Sequence, residues 1–250
     1  MSSEQYDQSA AVYDDSLNVL TYAQHAEDPT YRSVIGDVTG LDVLDLGAGT
    51  GIWTRRLKQA GAGRVEGLEI SPAMVAAARD KEASEPLGIT YHVADAASGG
   101  RAEWAGQFDV VTGINVLHYS SSRDELAGMC TTAARALKPG GRLVATCANW
   151  SMDPDPAYYE PYGIRVEVPH PRSEGAAVPI RTELGGRPLE LECFLWKPTT
   201  YESELRSAGF STVRWHPWQI TPEGIAKYGH DYWTPFTELP LMLLLEATFR

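Results

Sequence analysis

Two kinds of segment alternate between Leu41 and Ala148. Leu41–Leu46, Val65–Ile70, Thr90–Ala94, Phe108–Ile114 and Arg142–Ala148 are short apolar runs, as expected of strands buried on both faces. Between them, Ile52–Ala60, Ala73–Ser84 and Arg123–Leu137 carry helical patterns. Ser71 suits the N-cap of the second of these helices and Pro72 its first turn. Lys138–Gly141, "KPGG", predicts a stop to the third helix and a turn into the next strand. Strands alternating with helices predict a parallel sheet covered on both faces.

After Trp150 the pattern changes. Ser151–Pro198 is rich in Pro and Gly, and its "GIRVEV" and "LELECFLW" predict antiparallel strands in a cap over the active end of the sheet. Thr200–Ala208 predicts a helix closed by Gly209. "TVRWHPWQI" and "LPLMLLLEATF" predict two late strands. The expectation is one α/β domain over 1–250: a seven-stranded mixed sheet, mostly parallel with an antiparallel last strand, flanked by helices, with the cap of residues 151–198 inserted after the fifth strand.

The candidate chemistry begins at "VLDLGAGTG", Val43–Gly51. Gly47, Gly49 and Gly51 fall where the first strand turns into a helix, and in an open parallel sheet ligands bind at the carboxyl ends of the strands. Glycine tolerates positive φ there and lets a ligand press on the backbone. A dinucleotide site wants G-x-G-x-x-G, but position 52 is Ile, so the pattern is G-x-G-x-G with Asp45 two residues ahead.

That pattern resembles the first motif of Rossmann-like, class I S-adenosylmethionine-dependent methyltransferases. "GLEIS", "VADA", "FDVVTGINVLHY" and "LKPGGRLV" match the motifs that follow it in that family, in order. The resemblance implies S-adenosyl-L-methionine as cofactor, with Asp45, Gly47, Ala48 and Gly49 at the turn. It implies Glu69, with Ile70 beside it, on the ribose hydroxyls, and Asp95 and Ala96 at the adenine. Asn115 follows from the fourth-strand motif. The spacing agrees, since Glu69 stands 20 residues beyond Gly49, the distance at which a second strand end lies beside the first turn. Met74, one turn into the next helix, can pack on the adenine face. "YDQSAAVYDD" resembles a segment whose tyrosine folds over the methionine end, which points to Tyr13, then Tyr6, and makes residues 1–30 a helical lid.

Nucleic-acid amino-methyltransferases carry Asp/Asn-Pro-Pro-aromatic after the fourth strand, where this chain reads "INVLHY". No magnesium-binding Asp/Asn set of the catechol-enzyme kind is present, and no metal is expected. The C-terminal third resembles bacterial natural-product methyltransferases, including the N-methyltransferase of toxoflavin (azapteridine) biosynthesis. The implied reaction is N- or O-methylation of a heteroaromatic intermediate. Tyr158, Tyr159, Tyr162, Trp196, Trp215, Trp218, Tyr232 and Trp233 are candidates for a stacking wall, or for core and interface packing. The sulfonium is already activated, so proximity and desolvation carry the reaction. Where the acceptor must lose a proton, His118 is the candidate base, with a protonation expected near the ordinary value of about 6.5; His170 and Tyr119 are weaker candidates. An acidic heterocyclic N–H, arriving as an anion, needs no base.

Composition narrows the partners. The 250 residues are 43% hydrophobic and 22% charged, with a formal net charge of -12. No Lys/Arg run offers a phosphate backbone or an anionic membrane a docking patch, so a small-molecule substrate is expected and nucleic acid and membrane are not. Cys130, Cys147 and Cys193 are scattered, without a CxxC pair. The N-terminus lacks a signal-peptide core, and the longest apolar run is too short to span a bilayer. The chain therefore reads as cytoplasmic, a monomer or homodimer. The competing readings are a cofactor-binding protein with a non-methylating, C-methylating or cyclising role, and an NAD-dependent oxidoreductase; the latter lacks its third glycine and a Tyr-x-x-x-Lys.

Overall fold

A computed structural model describes residues 20–184 and 187–250. A seven-stranded sheet runs β3-β2-β1-β4-β5-β10-β9. Its strands are β1 (Val43–Leu46), β2 (Val65–Glu69), β3 (Thr90–Val93), β4 (Phe108–Gly113), β5 (Leu137–Ala148), β9 (Phe210–His216) and β10 (Met242–Phe249). The first five pair in parallel, whereas β10 is antiparallel to both its neighbours, β5 and β9. The expected mixed sheet with an antiparallel last strand is thus the fold.

Period-two alternation splits each central strand between two cores. Val43, Val110, Val144 and Leu244 pack on one face with Tyr31 and Leu57. Their neighbours Leu44, Val111, Leu143 and Leu245 pack on the other with Leu126, Met129 and Tyr201. The helices covering these faces are α1 (Asp28–Ile35), α2 (Ile52–Gln59), α3 (Pro72–Ser84), α4 (Arg123–Ala136) and α5 (Pro198–Ser207). Ser71 caps α3 by accepting from Met74 N at 3.1 Å. A π-helical turn, Ala23–Glu27, leads into α1. All three cysteines are buried and none forms a disulfide. Burial pushes the Cys130 and Cys193 thiols up to about 12 and raises Cys147 further.

Four local readings are corrected. The helix before "KPGG" stops at Ala136 as expected, but the turn into the next strand is a bulge within β5. Leu137 already pairs with Phe108, the register shifts, and pairing resumes at Val110 with Arg142. The extra residues bulge out of the ladder, held by Lys138 Nζ donating to Asp42 at 3.1 Å and Asp109 at 2.8 Å. Second, the 151–198 segment holds three antiparallel strands, β6 (Ile164–Val166), β7 (Ala176–Leu184) and β8 (Arg187–Leu195), in that order. The middle one was hidden by Pro179, which argues against a central strand. Third, β9 stops at His216, before Pro217, and does not run on to Ile220. Fourth, α6 (Pro222–Tyr228) and α7 (His230–Glu238) precede the last strand.

Candidate functional site

The site is built on the turn after β1. Gly47 N and Ala48 N both donate to Leu68 O, at 2.8 and 2.9 Å, which ties the turn to the end of β2. Gly47 has φ +69°, and a Cβ there would come within 2.8 Å of Val116. Gly49 has φ +54°, and a Cβ there would meet nothing within 4 Å: its bare face looks into open space. Leu46 pairs with Leu68, so Glu69 projects directly beside the turn. Its carboxylate accepts from Gly49 N at 3.0 Å and from Ser71 N at 2.9 Å. Two backbone donors from two loops fix its orientation.

Gly47, Ala48, Gly49, Glu69, Ile70, Met74, Asp95, Ala96, Asn115 and His118 all line one cavity at the carboxyl ends of the strands. Asp95 accepts from Ala97 N at 2.8 Å, which turns the chain after β3. Asn115 has φ +54°, a sparsely populated conformation for a non-glycine residue. Thr146 on β5 holds it there: Asn115 N donates to Thr146 Oγ1 at 2.7 Å, and that hydroxyl donates to Asn115 Oδ1 at 3.0 Å. Tyr13 and Tyr6 lie outside the described residues. Of the expected 1–30 lid, residues 21–30 are helical.

Asp45 is not where the resemblance implied. It is 2% exposed and absent from the cavity wall. Strand alternation aims it into the sheet face, where Thr54 and Thr112 hydroxyls each donate to it at 2.7 Å. Burial raises its pKa to about 6 despite those two bonds. It ties α2 to β4.

Of the two readings open for the aromatic residues, packing is the one their surroundings favour. None of the eight tyrosines and tryptophans singled out lines the cavity. Trp218 Nε1 donates to Met242 O at 2.7 Å, Trp233 Nε1 to Gly224 O at 2.9 Å and Trp196 Nε1 to Ser120 O at 3.1 Å. Tyr159 donates to Leu239 O at 2.9 Å. Trp218 fastens a loop to β10, Trp233 joins two neighbouring helices, and Trp196 and Tyr159 tie loop segments together. The cavity's own rings are Tyr22, Trp53, His118 and Tyr119.

His118 is 2% exposed, and its Nδ1 has no hydrogen-bond partner. Burial lowers its pKa to about 3, offset only in part by the Thr146 backbone. The imidazole is therefore neutral across the physiological range. His170 is exposed and away from the cavity.

The remaining walls were not legible in the sequence. Leu20, Tyr22, Ala23 and Glu27 come from the N-terminal segment, and Ile164, Ile180, Thr182, Leu189 and Leu191 from the three-stranded sheet. Glu27 is 9% exposed, and burial alone pushes its pKa up to about 8. No described residue lining the cavity is Lys or Arg. Among the described residues no group of three His, Cys, Asp or Glu is arranged to hold a metal, and no helix is long and apolar enough to cross a membrane.

Residues 43–141 match the family described as "Methyltransferase domain". A demethylmenaquinone methyltransferase of Tropheryma whipplei is 34% identical over 140 residues, 56% of this chain and 55% of that protein. The chain thus spans about half the length of the curated relatives of this kind that it matches. An S-adenosylmethionine-dependent methyltransferase from Mesorhizobium loti superposes with a TM-score of 0.63 at 22% identity, covering 93% of this chain and 99% of that one. The CcbJ methyltransferase of Streptomyces caelestis superposes with a TM-score of 0.61 at 20% identity, covering 88% of each. The chain has the class I, Rossmann-like fold of S-adenosylmethionine-dependent methyltransferases, and its residues 43–141 match their methyltransferase domain.

Proposed function

We propose that this protein transfers a methyl group from S-adenosylmethionine to a small-molecule acceptor. The observation that carries this reading is the continuity of one cavity. The open face of Gly49 and the backbone-anchored Glu69 share it with apolar side chains from the three-stranded sheet. The donor set fits the cofactor. Glu69 can accept from both ribose hydroxyls and Asp95 from the adenine amine, while Met74, 1% exposed, offers a polarizable apolar contact. Gly47, Ala48 and Asn115 border the path of the methionine end. When bound, the cofactor supplies an activated methyl group.

The chain's own part is to bind, orient and keep water out. Ile114, Ile164, Ile180, Leu189 and Leu241 make the acceptor side apolar. On this reading residues 1–30 act as a lid and 151–198 as the acceptor's cap. A heteroaromatic acceptor methylated on N or O fits a chamber of this kind, in keeping with the resemblance of the C-terminal third to natural-product N-methyltransferases. His118, neutral and without a carboxylate partner, serves as a hydrogen-bonding wall in place of a base poised near neutrality.

Calorimetric titration with S-adenosylhomocysteine tests the cofactor half. Each hydrogen bond to a charged group is worth about 1.5–3 kcal/mol, so Glu69→Ala should weaken affinity at least about tenfold. Unchanged affinity would remove Glu69 from the site. Transfer of labelled methyl from the cofactor into a small-molecule extract tests the other half.

A further inference from the structure

Three carboxylates face the cavity, and one of them has no assigned work. Glu69 and Asp95 each accept backbone N–H bonds. The carboxyl of Glu27, a residue buried to nine-tenths, makes no hydrogen bond or ion pair with any described residue. An unpaired carboxyl in such surroundings costs folding free energy and persists where a ligand partners it. It sits in the π-helical turn Ala23–Glu27, and such turns concentrate at functional sites. On the same wall, Leu20 lies 3.6 Å from where a Cβ on Gly163 would stand, at the start of the three-stranded sheet. That places the wall against the acceptor side of the cavity.

The other groups facing the cavity that titrate are Tyr22, Glu69, Asp95, His118 and Tyr119. None supplies a positive charge at neutral pH, and residues 1–19 hold no Lys or Arg to add one. An anionic acceptor entering here would be desolvated against carboxyl groups with no Lys or Arg side chain among the described lining residues to meet it.

We propose that Glu27 selects the acceptor: the cavity takes a molecule presenting an amine nitrogen, free or protonated, to the Glu27 carboxyl, and rejects anions. The raised pKa of Glu27 agrees, since a carboxyl walled by apolar groups keeps its proton until a basic nitrogen arrives to share it. The assignment of acceptor and cofactor ends rests on the methyl-transfer reading above.

Benzylamine and benzoate, similar in size and opposite in charge, test the proposal. Their binding is measured by ligand-observed NMR on protein saturated with S-adenosylhomocysteine. Wild type should bind benzylamine at least about tenfold more tightly than benzoate, and Glu27→Gln should reduce that ratio to about threefold or less. Equal binding of the two by wild type, binding of neither at millimolar concentration, or a ratio preserved in Glu27→Gln would overturn the proposal. S-adenosylhomocysteine and methylthioadenosine, which lacks the amino-acid end, are titrated in parallel. If Glu27→Gln weakens only the former, the carboxylate holds the cofactor's ammonium and the acceptor assignment is wrong. Should wild type bind neither nucleoside, the methyl-transfer reading fails, and the amine-to-benzoate ratio on the free protein still judges Glu27. A wild-type ratio near one overturns the proposal even if the variant does not fold.

Discussion

Asp45 and Glu69 are both carboxylates near strand ends, and only their hydrogen-bond partners separate their roles. Asp45 is occupied by two buried hydroxyls, so Asp45→Ala should lower stability by about 2–3 kcal/mol, measured by urea unfolding, because it removes two bonds and strands their donors. Affinity of the folded protein for S-adenosylhomocysteine should change by no more than about threefold; a large loss would return Asp45 to the site. His118 gives a second test. Its folded pKa of about 3 lies below the ordinary 6.5, so the folded state disfavours its charged form. Its contribution is complete above about pH 6.5 and is lost as pH falls towards 3. His118→Gln should therefore flatten the loss of wild-type stability between about pH 6.5 and 4. Protonation near 6.5 is the expectation unless the site shifts it; burial does shift it, so turnover should show no acidic limb from this residue between about pH 5 and 8. An acidic limb that vanishes in His118→Gln would contradict the burial argument.

At the scale of elements, the glycine turn is the most exposed to test. Valine at position 49 must adopt φ near +54°, at a cost of roughly 1–3 kcal/mol, and its side chain enters the open face of the cavity. Gly49→Val should abolish S-adenosylhomocysteine binding while circular dichroism stays that of the wild type. Retained affinity would show that no ligand lies on that face. The turn, β1 to β5 and α2 to α4 were legible because continuous apolar runs and helical periods are local signals. The elements that escaped carry breakers: Pro179 in β7, Gly224 in α6 and Pro235 in α7. Their order comes from tertiary contacts, such as Trp233 bonding to Gly224 O and Phe236, 2% exposed, packing beside Trp233. The same reason hid Glu27. Its environment is made by walls from distant segments, and no spacing along the chain announces a desolvated carboxyl. Asp45 was misplaced because a motif gives a position and not the face of the strand.

The whole molecule encloses its cavity between the strand ends, the N-terminal segment and the three-stranded sheet. That enclosure makes the arrival and departure of small molecules a question about how its walls move. The three deeply buried thiols open a way to ask it. In the native protein Ellman's reagent should find none of them within minutes, and all three once the chain is unfolded in guanidinium. Fast reaction of the native protein would mean that a core face opens. A silent background makes any added surface thiol unique. Thr182 lines the cavity, whereas Glu183, next along β7, is exposed on the opposite face. A fluorophore on Glu183→Cys would therefore sit one residue from the chamber without entering it, and watch it fill in real time with every native cysteine left in place.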